Sequence, residues 1–219
     1  MARFIDLSHP IVHGMVTYPG LPGPCISDHL TRADSRSRYG PSTEFHIGRI
    51  DMVANTGTYL DTPFHRYADG ADLAAVALDR LAGLDTIVVR APAERGRAVD
   101  VAACQGLKVD GTAVLVHTGW SRHWRTERYA QGHPFLTGAA ARWLREAGAR
   151  LVGIDSLNID DTSDGTRPVH TELLRHGIPI VEHLTGLDAV PDGGARFFAV
   201  PPEVQGMGTF PVRAFCLVP

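Results

Sequence analysis

The chain has 219 residues, 44% hydrophobic and 21% charged, with a formal net charge of −3. That is enough chain to bury a core without disulfide or metal staples, and the charge balance excludes a basic nucleic-acid-binding surface. No apolar run approaches the roughly 20 residues of a membrane span, and the opening MARFIDLSHP lacks the basic-then-apolar plan of a secretion signal, so a cytoplasmic protein without membrane or nucleic-acid partners is expected.

Taken in chain order, residues 3–8 alternate apolar and polar side chains and predict a strand. Residues 18–24, Tyr-Pro-Gly-Leu-Pro-Gly-Pro, hold too much proline and glycine for regular structure and predict a loop. Over 42–53 the alternation returns, and Phe45, Ile47, Ile50 and Val53 suggest a strand with a bulge. Thr86-Ile87-Val88-Val89 is a β-branched strand bounded by Pro92, 99–107 is a short helix candidate, and 112–117 is a buried strand. Residues 137–147 predict a helix with Thr137 as N-cap and Gly148 as its stop. A strand over 150–155, a helix over 168–176 closed by Gly177, and a strand over 178–181 follow. Residues 196–202 and 210–217 read as two more strands. Strands alternate with helices only in the middle of the chain. The expected architecture is one α/β domain over 1–219, a mixed central β-sheet with flanking helices and an additional β layer.

Cys25, Cys104 and Cys216 are too widely spaced for a disulfide framework or a CxxC zinc site, so reduced, mostly buried thiols are expected. Eleven histidines make a histidine-based site worth seeking. The informative stretch is Asn55-Thr56-Gly57-Thr58-Tyr59-Leu60-Asp61-Thr62-Pro63-Phe64-His65. A Gly-Thr turn leads to a carboxylate, a rigid proline, and a histidine four residues beyond the carboxylate. Such a pair can bind metal, orient the imidazole or raise its basicity. It also fits a plain turn in which Asp61 caps backbone amides and His65 meets solvent. His170, on the helix before Gly177, and Glu182, directly after an apolar strand, form a second candidate pair; either alone fits a solvent boundary. Tyr18 and Trp120 are candidates for an aromatic substrate pocket, with core packing the alternative for Trp120. His176 and His183 are expected at solvated element ends, and Met207-Gly208-Thr209 in a loop able to reach a neighbouring subunit.

Together these residues resemble the cyclase family that includes bacterial kynurenine formamidase. The family signature, His-x-Gly-Thr-His-x-Asp-x-Pro-x-His, stands here at 55–65 with Asn55 and Tyr59 in place of its first two histidines. The opening Asp6-Leu7-Ser8-His9-Pro10-Ile11, the Tyr18-Pro19-Gly20 loop, the VHTGW segment at 116–120, Gly153-Ile154-Asp155-Ser156 and the 177–182 segment also stand in the family's order. The resemblance implies a swivelling β/β/α-like fold, His65 as general acid/base, Asp61 as a metal-bridging carboxylate, and His170 with Glu182 as ligands of a second metal.

Asn55 and Tyr59 replace two imidazole ligands, so a full binuclear site is not expected. Asp61, His170 and Glu182 can still hold one divalent ion, zinc or manganese, leaving an open position; the alternative is no metal. His46, on the preceding strand, is not expected to stand in for the missing ligands. The resemblance implies an arylformamidase-like hydrolase of a small amide, formamide or lactone, of the kind found in the kynurenine pathway of tryptophan catabolism. Asn55 or Tyr59 would stabilise the oxyanion or donate a proton, and the assembly would be a homodimer or homotetramer. Two alternatives remain open: a metal-independent cyclase or lyase using His65 and Tyr59, and a non-catalytic small-molecule binding protein.

Overall fold

The computed structural model describes residues 2–219. Its strands are β1 (Arg3–Asp6), β2 (Cys25–Leu30), β3 (Ile47–Asp51), β4 (Tyr59–Asp61), β5 (Ala82–Arg90), β6 (Ala98–Val99), β7 (Ala113–His117), β8 (Phe135–Leu136), β9 (Leu151–Ile154), β10 (Ile180–Glu182), β11 (Gly193–Phe198), β12 (Thr209–Pro211) and β13 (Phe215–Val218). The helices are α1 (Arg32–Ser35), a single turn, α2 (Gly138–Glu146) and α3 (Pro168–Arg175). Nine strands form one mixed sheet in the order β1-β13-β11-β5-β7-β9-β10-β4-β12. Its middle, β5-β7-β9-β10, is parallel, and antiparallel strands flank it on both sides. The expected mixed α/β architecture is therefore present.

The parallel strands carry unbroken apolar runs because both faces of the sheet are covered. Val114, Val116, Val152 and Ile154 pack with Ala141 and Leu144 of α2 and Val169 and Leu173 of α3. On the other face, Leu115, Val181 and Leu60 join Leu7, Leu84 and Phe197. Helix α2 starts as read, with the Thr137 hydroxyl accepting from Ala140 N at 3.1 Å. No helix among the described residues is long and apolar enough to cross a membrane.

Several expectations change. The helix expected over 99–107 is only a 3-10 turn at Val101–Ala103, because Val99 is drawn into β6, which pairs with β8. The single strand expected over 210–217 is two, and they lie at opposite ends of the main sheet: β12 ends at Pro211, which has no N–H to extend a ladder. Cys25 is exposed rather than buried. The strand expected over 42–53 forms as β3, but pairs only with β2 in a separate two-stranded sheet, the additional β layer. All five β3 residues are exposed, and Phe45, Ile47 and Ile50 meet solvent rather than a core.

Behind the sheet end lies an aromatic cluster. His9 stacks on Trp124 at 4.1 Å between centroids, and His183 Nδ1 lies 2.9 Å from the Tyr129 hydroxyl. Thr58 ties the two segments together: its hydroxyl donates to His183 O at 2.6 Å and accepts from His9 N at 3.0 Å. His183 is fully buried, not solvated as expected. Burial drives His9 down to about 4, and burial with the nearby His9 charge drives His183 down to about 3. Both are neutral in the folded protein. Because their folded values lie below the unfolded one near 6.5, their contribution is complete above that pH and declines as pH falls toward 4. His9→Phe keeps the stack and removes one titration. Its stability advantage over the wild type is expected to grow by about 1 kcal/mol per pH unit between pH 6.5 and pH 4. Urea midpoints across that range read it; a constant difference would exclude burial of a neutral His9.

Candidate active site

Strand β4 lies between β10 and β12, and the two registers bring the polar residues together. Tyr59 stands opposite Glu182 on β10, while Asp61 stands opposite Thr209 on β12. Residues two apart on a strand share a face, so Tyr59, Asp61, Glu182 and Thr209 all point the same way. The 3-10 turn Pro63–His65 then carries His65 over that face. Gly208 packs against this turn so closely that a Cβ there would fall on the His65 backbone, which only glycine allows.

His170 comes from the first turn of α3. Its N-cap residue, Arg167, makes no side-chain cap and has φ +49°, so the helix start is capped from outside by Asp160. Asp160 accepts from Val169 N at 2.7 Å and from His170 N at 3.0 Å, and from His170 Nδ1 at 2.6 Å. One carboxylate thus caps the helix and fixes the imidazole, leaving Nε2 3.7 Å from Asp61 Oδ2 and 3.6 Å from Glu182 Oε1. Burial alone would lower the His170 pKa, but the hydrogen bond to Asp160 and the nearby charges of Asp61 and Glu182 lift it to about 10.

Glu182 is fully buried and held by three donors: the Tyr59 hydroxyl at 2.6 Å, Ile159 N at 2.7 Å and Asn158 Nδ2 at 3.4 Å. Burial raises its pKa to about 7, the His170 charge opposes this, and the Asp61 charge adds to it. Asp61 goes the other way: burial would raise it, but the charges of His65 and His170 and the hydrogen bond from Thr209 hold it below the usual carboxylate range. One imidazolium faces both carboxylates, and Asp61 keeps the negative charge. Tyr59 is held well above 10 by burial and by the Glu182 and Asp61 charges, so its hydroxyl is neutral and its single proton goes to Glu182.

The histidine tautomer at position 65 follows from proton counting. Thr209 donates its one hydroxyl proton to Asp61 Oδ1. It must therefore accept from His65 Nδ1, 2.7 Å away, so neutral His65 carries its proton on Nδ1 and an open lone pair on Nε2.

A cavity of about 460 Å³ opens over these groups. Its walls include Tyr18, Asn55, Tyr59, His65, His170 and Glu182. Asp61 lies fully buried directly behind His65 and His170. Trp120 does not reach the cavity: it is buried with Tyr129 and Leu157, and its Nε1 donates to Tyr129 O at 3.0 Å. His46 is also elsewhere, 2.7 Å from Asp28 on the β2–β3 sheet. Thr209 sits in the site rather than in a loop reaching outward. Sequence reasoning missed Thr209, Asp160, Asn158, Arg66 and Arg167. For Asp160 the only signal was an acidic run before Arg167-Pro168, where a helix start lacks its own cap.

The Cyclase family model matches residues 5–161. The chain belongs to the cyclase family. The kynurenine formamidase of Bacillus cytotoxicus is 30% identical over 222 residues, covering 97% of this chain and 96% of that protein. A solved structure described as a potential metal-dependent hydrolase with cyclase activity superposes with a TM-score of 0.79 at 26% identity, covering 100% of this chain and 99% of that one. Isatin hydrolase A from Labrenzia aggregata, bound to benzyl benzoate, shares the fold with a TM-score of 0.84 at 22% identity, covering 99% and 94% of the two chains.

In this cyclase-family chain the donor set fits a divalent ion. Asp61 Oδ2 is buried without a hydrogen-bond partner among the described residues. Asp61, His65 and His170 each offer a donor atom within 4.8 Å of the others. Glu182, expected beside Asp61 and His170, lies within 3.6 Å of His170 but falls outside that group of three, with both oxygens already accepting from Tyr59 and Ile159. An ion on His170 Nε2 must displace the proton that the pKa near 10 places there. Manganese uptake is expected to release about one proton at pH 7, and to tighten about tenfold per unit as pH rises from about 6 to about 8. Calorimetry in buffers of different ionisation enthalpy measures this; uptake without proton release would exclude His170 as a ligand.

Proposed function

We propose that the chain is a hydrolase of a small amide-type carbonyl compound, a formamide, amide or lactone, with residues 1–219 acting as one catalytic domain. The observation that carries this reading is His65 on the cavity wall, tied through the Thr209 hydroxyl to buried Asp61. The resemblance to kynurenine formamidase over nearly the whole chain supports the same class.

Asp61 and His170 would hold one divalent ion, zinc or manganese, with Glu182 joining them only through an oxygen that already accepts from Tyr59 or Ile159 N; when bound, the ion supplies Lewis-acid polarisation of a carbonyl and acidifies water. The chain's own residues do the rest. His65 Nε2 takes the proton of the attacking water; Asp61, through Thr209, steadies the imidazolium that forms. His65 then returns that proton to the departing nitrogen or oxygen as the bond to the carbonyl carbon breaks. Asn55, on the cavity wall, offers its side-chain amide to the developing oxyanion. Tyr59 serves the site by holding Glu182 rather than by donating to substrate. Tyr18 provides an aromatic wall for a flat substrate ring. Exposed Ile26, Phe45, Ile47 and Ile50 on the β2–β3 sheet support assembly as a homodimer or homotetramer.

A second reading has one supporting observation: the His170 imidazolium already lies between Asp160 and Asp61, at 2.6 and 3.7 Å, and gives both carboxylates a counter-charge without an ion. In that case His65 works without metal, and activity survives exhaustive chelation. Turnover is to be sought with formanilide and a panel of aryl lactones. His65→Ala is expected to lower kcat by about a hundredfold to ten-thousandfold with the fold intact by circular dichroism. Thr209→Val leaves His65 in place but removes its tautomer control. Its kcat is expected to fall by about tenfold, with a displaced pH–rate profile and little change in KM. Wild-type turnover in the His65 variant would exclude the general-base role.

A further inference from the structure

The site joins two bodies of the fold. Asp61, Glu182 and Thr209 stand on the sheet, whereas His170 stands on α3. His65 belongs to neither, because the 3-10 turn Pro63–His65 carries it. On the sheet side that turn is fixed twice: Gly208 packs against the His65 backbone, and Thr209 meets His65 Nδ1 at 2.7 Å. The chain after the turn folds back on itself, with Tyr67 N donating to Pro63 O at 2.9 Å, Gly70 N to Tyr67 O at 2.9 Å and Phe64 N to Ala71 O at 3.0 Å. None of these bonds sets the turn against α3. That contact comes from Tyr67. Its hydroxyl donates to Thr171 O at 2.9 Å, one residue beyond His170, and this is the one hydrogen bond between residues 62–73 and α3 among the described residues. The Tyr67 ring packs on the apolar cluster that holds Val169 and Leu173 of α3, with the Arg66 and Arg175 guanidinium groups 5.7 and 5.0 Å from its centroid. The Asp69–Arg175 ion pair beside it, 3.6 Å apart and largely exposed, adds little.

We propose that Tyr67 is a positioning residue: through its hydroxyl bond to α3 it holds the turn, and with it His65, at the working distance from His170. The inference rests on the reading of His65 as the general base. Tyr67 does not line the cavity, so it acts on the reacting groups only through His65. The rings of His65 and His170 lie 6.0 Å apart between centroids, on two elements that no other hydrogen bond joins among the described residues. Packing on the apolar cluster would be served equally by phenylalanine; the hydroxyl is what aims the ring at one helix carbonyl. Without that bond the turn is free to pivot where Gly208 and Thr209 hold it. An imidazole tied at Nδ1 alone then swings its Nε2, and a displacement of about 1 Å is enough to cost about a hundredfold in rate. The same pivot strains the Thr209 bond that selects the Nδ1–H tautomer, and so admits the other one.

Tyr67→Phe keeps the ring and removes only the hydrogen bond. Its effect on His65 is read by long-range proton–nitrogen NMR spectra of histidine-labelled, chelator-treated protein at about pH 8.5, where an ordinary imidazole is neutral. The His65 signals are those missing from His65→Ala protein. In the wild type they are expected to report the Nδ1–H form. In Tyr67→Phe they are expected to report about an even mixture of the two tautomers, with the signals of buried His9 and His183 unmoved. On any formanilide or aryl lactone that the wild type turns over, kcat of Tyr67→Phe is expected to fall about tenfold while KM stays within about twofold. Asp69→Asn removes the exposed ion pair and is expected to change neither readout. Wild-type His65 signals in Tyr67→Phe would overturn the proposal. So would equal shifts at His9 and His183, which report a loosened core, or the same change in Asp69→Asn. If no substrate is turned over, the hydrolase reading fails by itself, and the imidazole spectra still decide the role of Tyr67.

Discussion

Strand β4 is three residues long, yet the site depends on how it is paired. Its hydrogen bonds to β10 on one side and β12 on the other set Tyr59 against Glu182 and Asp61 against Thr209. A slip of one residue in either ladder would turn one partner to the opposite face and dissolve the constellation. The pairing is protected by what surrounds it. Leu60 and Val181 are fully buried on the opposite face, and Thr58 bolts the strand's start to His9 and His183. At the other end Thr62 donates to Gly208 O from both its backbone and its hydroxyl, at 2.7 and 3.1 Å. Polar chemistry on one face is therefore held in register by apolar packing on the other.

Three carboxylates, Asp61, Asp160 and Glu182, surround His170, and all three are fully buried. Burying that much like charge would be prohibitive unless each group were compensated. Asp160 is neutralised by helix amides and the imidazole together, Asp61 by the two histidines and Thr209, and Glu182 by Tyr59 and Ile159 N. Of the oxygens on these three carboxylates, Asp61 Oδ2 alone has no hydrogen-bond partner among the described residues, and it lies 3.7 Å from His170 Nε2. A divalent cation answers that residual imbalance, as does the His170 proton, and the two compete for the same space.

The cavity sorts its charges by depth. Negative groups lie on the floor, arginines stand on the wall, and His65 lies between them. His65 is joined to the floor through a threonine hydroxyl rather than by direct contact with the carboxylate: Nδ1 lies 3.6 Å from Asp61 Oδ1 but 2.7 Å from Thr209. This selects the Nδ1–H tautomer while keeping the imidazole from becoming a locked half of an ion pair, and it leaves Nε2 open to a ligand.

Local sequence determined the elements whose signals are local. The apolar runs of β7 and β9, the Thr137 cap of α2 and the Pro168 start of α3 are all legible in order, because periodicity and capping need only neighbouring residues. The 55–65 segment likewise marked Asp61 and His65 as a pair, and the order of motifs along the chain carried the family resemblance. Local sequence could not reveal Thr209, 144 residues from His65, or the role of Asp160, since neither has a local pattern apart from the acidic run. Tertiary structure alone decided that Glu182 is clamped by Tyr59, that Trp120 packs inward and that His183 is buried. It also decided that two arginines 101 residues apart in sequence share one cavity wall. The physical reason is that strand pairing and helix docking join residues whose separation along the chain carries no information about their distance in space, so a side chain's burial and charge environment exist only once the sheet has closed.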